Sequence, residues 1–122
     1  MMRLLAFALC LSLLSSAYAG DKGNSPKISP WLYKKLVQTE QLIAKKSYPQ
    51  AEQKLQSILS DVKDKSYEQA TVLRSLSSVY ALKNQYKKAA ETLSKAINLG
   101  VLPTGQMKNA LLNLGQLYMA TE

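Results

Sequence analysis

The sequence predicts an all-α protein made of repeated helical hairpins, two complete and a third represented by its first helix. Three observations predict it. Tyr48, Ala51, Leu55 and Ile58 recur as Tyr86, Ala89, Leu93 and Ala96, and Leu42 recurs as Tyr80 and again as Tyr118, all at an offset of 38 residues. A single shared offset in the 20–50 residue range is the mark of a repeat array, in which no unit buries its apolar face alone. The apolar positions within each unit also step by three and four, as on one face of a helix, and nowhere alternate for long enough to make a strand.

The chain of 122 residues has room for one domain. Its opening belongs outside the fold. Met1-Met2-Arg3 is a short positive start, Leu4 to Leu14 is nearly all apolar, and Ala17-Tyr18-Ala19 places small residues where a signal peptidase reads them. Residues 1–19 are therefore read as a signal peptide cleaved after Ala19, and the protein as periplasmic. The apolar run falls short of the ~20 residues that span a bilayer. Cys10 is not read as a lipid attachment site, because Leu9 rather than a small residue precedes it. Residues 20–29 carry turn formers without apolar period and read as a flexible leader.

The helical repeat domain spans residues 30–122, with helices expected near 30–45, 48–62, 67–83, 86–98 and 105–120. Ser29-Pro30 offers an N-cap hydroxyl followed by proline at the first helical position, where its missing N–H is not needed. Ser66-Tyr67-Glu68-Gln69 has the form of a capping box, with Gln69 expected to reach back to the cap. Pro103-Thr104 precedes the last start. Asn84 and Gly100 mark helix ends, both being residues that tolerate a left-handed backbone. Along 86–98, Ala89, Leu93, Ala96 and Ile97 share a face, and the two alanines permit close approach to the stripe of Leu73, Leu76 and Tyr80.

Leu73-x-x-Leu76-Ser77-x-x-Tyr80, followed by Asn84-Gln85-Tyr86-x-x-Ala89-x-x-x-Leu93-x-x-Ala96-Ile97, resembles a tetratricopeptide repeat. Residues 32–65 resemble it less, since Gln38 and Thr39 replace the usual leucine and glycine, and residues 108–122 match a first helix through Leu111, Leu114, Gly115 and Tyr118. The resemblance implies a short right-handed solenoid with a concave groove. It departs from the usual 34-residue period by four residues, assigned to the loops around 61–65 and 100–105. Carried over position by position, the groove would be lined by Tyr33, Leu36, Glu40 and Ile43, by Arg74, Ser78, Ala81 and Leu82, and by Asn109, Leu112, Gln116 and Met119. Arg74 and Asn113 fall where the family holds a partner's terminal carboxylate, but Leu36 and Glu40 do not complete such a clamp. Signal peptide, leader, the Pro30-Trp31-Leu32-Tyr33 opening and Leu99-Gly100-Val101-Leu102-Pro103 together look like periplasmic tetratricopeptide proteins that accompany TonB-type energy transduction. That resemblance implies an accessory, non-catalytic role in energised uptake across the outer membrane.

Composition narrows the chemistry. The sequence has no histidine, and its one cysteine lies in the signal peptide, so no catalytic centre, metal site or cofactor is assigned. Sixteen basic against eight acidic residues give +8, or +7 without Arg3. In an exported protein this points to an acidic envelope protein, peptidoglycan or anionic lipid as partner, not nucleic acid. A structural protein associating with such surfaces is the second reading. The third-unit helix is apolar on most of its circumference, so a missing helix or self-association is expected there, with an incomplete chain the favoured reading.

Overall fold

A computed structural model describes residues 26–121. Among them are five α-helices and no strand: α1 Pro30–Ala44, α2 Tyr48–Asp61, α3 Tyr67–Leu82, α4 Tyr86–Asn98 and α5 Thr104–Ala120. Each boundary lies within a residue of the expected one. The expected signal peptide lies outside the described residues.

The caps explain where the helices begin. Ser29 Oγ accepts from the Leu32 amide at 3.2 Å, and Ser66 Oγ accepts from the Gln69 amide at 3.0 Å. The expected return bond differs. Gln69 Oε1 accepts from the Lys65 amide at 2.8 Å, one residue before the cap, because Lys65 has a φ of 57° that turns its N–H toward the helix. The leader is anchored at its end: Ile28 packs against the core, and the Ser29 amide donates to Glu68 Oε2 at 2.7 Å.

The repeat is visible in backbone hydrogen bonds. After α1, Lys46 N–H donates to Ile43 O and Ser47 N–H to Leu42 O, at 2.9 and 2.8 Å. After α3, Asn84 N–H donates to Ala81 O and Gln85 N–H to Tyr80 O, both at 2.9 Å. These are the same pair of bonds at the same offset, a Schellman-type ending in which one left-handed residue reverses the chain. Lys46 and Asn84 fill that position, with φ of 61° and 64°. Such short turns place successive helices antiparallel, and each helix makes its principal contacts with the next in sequence.

The core runs through all five helices. Leu32, Leu36, Ala51, Leu55, Leu73, Leu76, Tyr80, Ala89, Leu93, Ala96, Ala110 and Leu117 are buried. Helix α3 lies innermost, with every residue from Ala70 to Ala81 buried. Its interior hydroxyls are satisfied within their own turn: Thr71, Ser75 and Ser78 donate to carbonyls four residues back. Ser77 instead crosses to the neighbouring helix, its Oγ donating to the Ala89 carbonyl at 2.8 Å.

Successive first helices are tied together by a second repeated link. Ser29 bonds Glu68, and Tyr67 bonds Gln106, the same two repeat positions one unit later. The starts of α1, α3 and α5 are thereby held beside one another.

A lysine in the left-handed region strains against its own Cβ, which glycine does not. Lys46→Gly should therefore raise the urea midpoint, by an amount equivalent to up to about 1 kcal/mol. Lys45→Gly, at a φ of −84° where lysine is unstrained, should lower it.

Candidate functional site

The twelve groove candidates divide by exposure. Leu36, Ile43, Arg74, Ser78 and Ala81 are buried, none exposing more than 5% of its surface. Glu40, Leu82 and Gln116 are half-buried, and Tyr33, Asn109, Leu112 and Met119 are exposed. A partner resting on this surface would meet Tyr33 on α1 and the side chains of α5 directly, whereas the positions on α3 offer it almost nothing.

Arg74 shows why. Its Nη1 donates to Gln106 Oε1 at 3.0 Å, and Gln106 also exchanges hydrogen bonds with the Tyr67 hydroxyl, at 3.1 Å through Oε1 and 2.9 Å through Nε2. All three residues are buried. The guanidinium thus joins a polar cluster between α3 and the first turn of α5, where a buried charge needs hydrogen bonds to replace its water. Asn113, the other residue of the carboxylate pattern, is 3% exposed. The sequence reading missed Gln106. Its signal was available in the 38-residue offset, which pairs Gln106 with Glu68, the residue that holds Ser29 in the unit before.

Glu40 has its pKa raised above the ordinary 4.5 because partial burial disfavours the charged carboxylate. On the outer side of the hairpins, Lys83 Nζ meets Glu52 Oε1 at 2.7 Å, Gln56 Nε2 donates to the Tyr80 hydroxyl at 3.3 Å, and Lys88 Nζ sits 4.7 Å from the Tyr80 ring centroid. These contacts bind α2, α3 and α4 together around Tyr80; Lys45 and Lys46 are exposed at the first hairpin turn and Lys87 and Lys88 in the first turn of α4. A shallow open depression lies at this end, lined by Asn84 to Lys88, Glu91 and Thr121.

Among the described residues, the large exposed apolar side chains lie on the first and last helices. On α1, Trp31 and Tyr33 are 44% and 47% exposed; on α5, Leu111, Leu112, Tyr118 and Met119 are 51%, 58%, 51% and 69% exposed. Among the described residues no group of three or more His, Cys, Asp or Glu side chains is placed to hold a metal ion. No helix among them is long and apolar enough to cross a membrane.

No protein-family model, curated protein or solved structure matches the chain.

Two measurements test this arrangement. Gln106→Leu removes the acceptor at Arg74 Nη1 and the partner of Tyr67 together, and should destabilise by about 1.5–3 kcal/mol; Tyr67→Phe, which keeps Arg74 bonded to Gln106, should cost less. For Glu40, the folded protein holds the proton more tightly than the unfolded chain. Its contribution to stability is therefore full below pH 4.5 and lost as pH rises through the elevated folded value. Against Glu40→Gln in urea titrations, the native protein should lose relative stability over that window and then run parallel.

Proposed function

We propose that residues 30–122 form a tetratricopeptide-type array that holds another protein and catalyses nothing. On this reading it works in the periplasm after removal of residues 1–19, as an accessory to TonB-dependent transport across the outer membrane. The observation that supports the binding role is the set of exposed side chains on the first and last helices, Tyr33 on α1 and Asn109, Leu112 and Met119 on α5. Tyr33 and Asn109 occupy one repeat position, whereas Leu112 and Met119, further along α5, share theirs with residues that are buried on α1 and α3. Their mixture of aromatic, amide and aliphatic groups suits a peptide laid across helix faces, where a few apolar anchors supply most of the affinity and polar groups fix orientation. The duplicated Schellman turns and the repeated link between first helices support the array. The periplasmic setting and the uptake role rest on the sequence resemblance alone.

The second reading is a structural envelope protein bound to peptidoglycan or anionic lipid. It is favoured by the exposed Lys45, Lys46, Lys87 and Lys88, which the two equivalent turns bring to the same end of the hairpins.

A crosslinking pull-down from periplasmic extract with residues 20–122 separates the two. Its control belongs on exposed positions: Leu36 and Arg74 are buried, so substituting them would disturb folding as well as binding. Leu112→Glu with Met119→Glu should keep helical circular dichroism yet recover TonB-system components at least about tenfold less well, as expected for loss of two central apolar anchors. Equal recovery by both proteins would move the site off these residues. Recovery only of peptidoglycan or lipid, released by moderate salt as exposed charges are screened, would establish the second reading.

A further inference from the structure

Helix α5 keeps the apolar stripe of α3 at the 38-residue offset. Leu73, Leu76, Ser77 and Tyr80 on α3 correspond to Leu111, Leu114, Gly115 and Tyr118 on α5, at the common offset. On α3 these four residues are buried, and α4 covers them: Ser77 Oγ reaches the Ala89 carbonyl at 2.8 Å, and Ala89, Leu93 and Ala96 are buried with them. Helix α1 has the same relation to α2, with Thr39 at the equivalent position and Ala51, Leu55 and Ile58 buried. On α5, by contrast, Leu111 and Tyr118 remain half exposed, and among the described residues nothing lies within 4 Å of where a Cβ on Gly115 would stand.

Gly115 is the informative residue. It sits in the interior of a helix, where glycine is the least favourable residue after proline, and it has neither a left-handed φ nor, among the described residues, a neighbour to account for it. The two equivalent positions, Thr39 and Ser77, are the points where a first helix is approached by its second helix. A glycine there accommodates the closest approach of all, and the flanking Leu111, Leu114 and Tyr118 supply the apolar ridge on either side. An exposed contiguous apolar patch of this kind is a common mark of an interaction site.

We propose that this face of α5 seats an amphipathic partner helix with the apolar register shared by α2 and α4. That register is a tyrosine, a small residue three positions later, a leucine four beyond that and a small or aliphatic residue a further three on. The small residue would lie over Gly115, and the leucine would lie along the Leu111–Leu114–Tyr118 ridge, as Ala89 and Leu93 lie on α3. The occupant is thus specified by the two helix pairs that the chain already makes. The proposal is independent of the groove reading: Leu112 and Met119 lie a quarter turn round α5 from Leu111 and Tyr118, and a helix can occupy this face whether or not a peptide rests on the other.

The probe is a labelled peptide with the sequence of residues 84–100, which contains this register. Saturable binding to the protein by fluorescence anisotropy is expected. It should weaken at least tenfold for Gly115→Leu in the protein and for Leu93→Asp in the peptide, and remain unchanged for Leu112→Glu. Gly115→Leu meets open space and should leave helical circular dichroism intact. Because an isolated helix of this length is marginal in water, the same segment is also joined to the C-terminus through a flexible Gly/Ser linker, which raises its local concentration to the millimolar range. The fusion should unfold at higher urea than the parent, and Gly115→Leu should abolish that gain. Absence of both binding and gain, or effects indifferent to Gly115→Leu, would overturn the proposal. So would a concentration-dependent dimer of the protein alone that Gly115→Leu dissociates, which would show a second copy on this face.

Discussion

Two helices can approach closely only where the side chains between them are small, and this constraint organises the molecule. Between α3 and α4 the contact point is Ser77 against Ala89, near enough for the Ser77 hydroxyl to reach the opposing main-chain carbonyl at 2.8 Å. A hydroxyl buried between helices is tolerated because it has that partner; without one it would carry the desolvation penalty of an unsatisfied polar group, about 1–3 kcal/mol. With the backbones held near at this point, Leu76, Tyr80, Leu93 and Ala96 interlock on either side. Between α1 and α2, Thr39 and Ala51 stand at the corresponding positions, both fully buried.

The remaining architecture follows from repeating that pair. The principal contacts are between helices adjacent in sequence, and one continuous core runs through them. The links that cross from one unit to the next are the ones that hold the units in register. Two are apolar, through α3 against α2 and α4 against α5. The third is polar and recurs: Ser29 with Glu68, then Tyr67 with Gln106. In its second occurrence it also gives Arg74 a buried acceptor, so a charge at a position otherwise suited to a ligand is used for attaching α5.

The fold was legible because its determinants are local and periodic. Ser29, Ser66, Asn84 and Gly100 each act within a few residues of themselves, and the structure places them at the cap or left-handed positions their chemistry favours. Lys46 and Lys65 were not legible as left-handed residues, because lysine has no preference for that region; the turns impose it, and Lys65 then redirects Gln69 from the expected capping bond. The site was less legible than the fold. Repeat position says which way a side chain points from its own helix, but exposure depends on what neighbouring units place in front of it. Leu36, Arg74 and Leu112 share one repeat position, yet the first two are buried and the third is 58% exposed.

That contrast separates what the period encodes from what it does not. The period carries the shape of each pair, so departures from it at an uncovered position mark where a further constraint acts. Leu111, Leu114 and Tyr118 keep the apolar character of the α3 stripe although the described structure leaves two of them half exposed. Leu114 packs against the core and the Tyr118 hydroxyl lies 3.4 Å from Ser94 Oγ, but water alone gives no reason for the exposed halves of Leu111 and Tyr118 to be apolar. Nor would packing favour glycine at the one interior position where a helix forfeits stability by having it. The ridge keeps its large residues while the residue at its centre goes from serine to glycine. Both are required by a closely packed helix, whereas exposure to solvent requires neither.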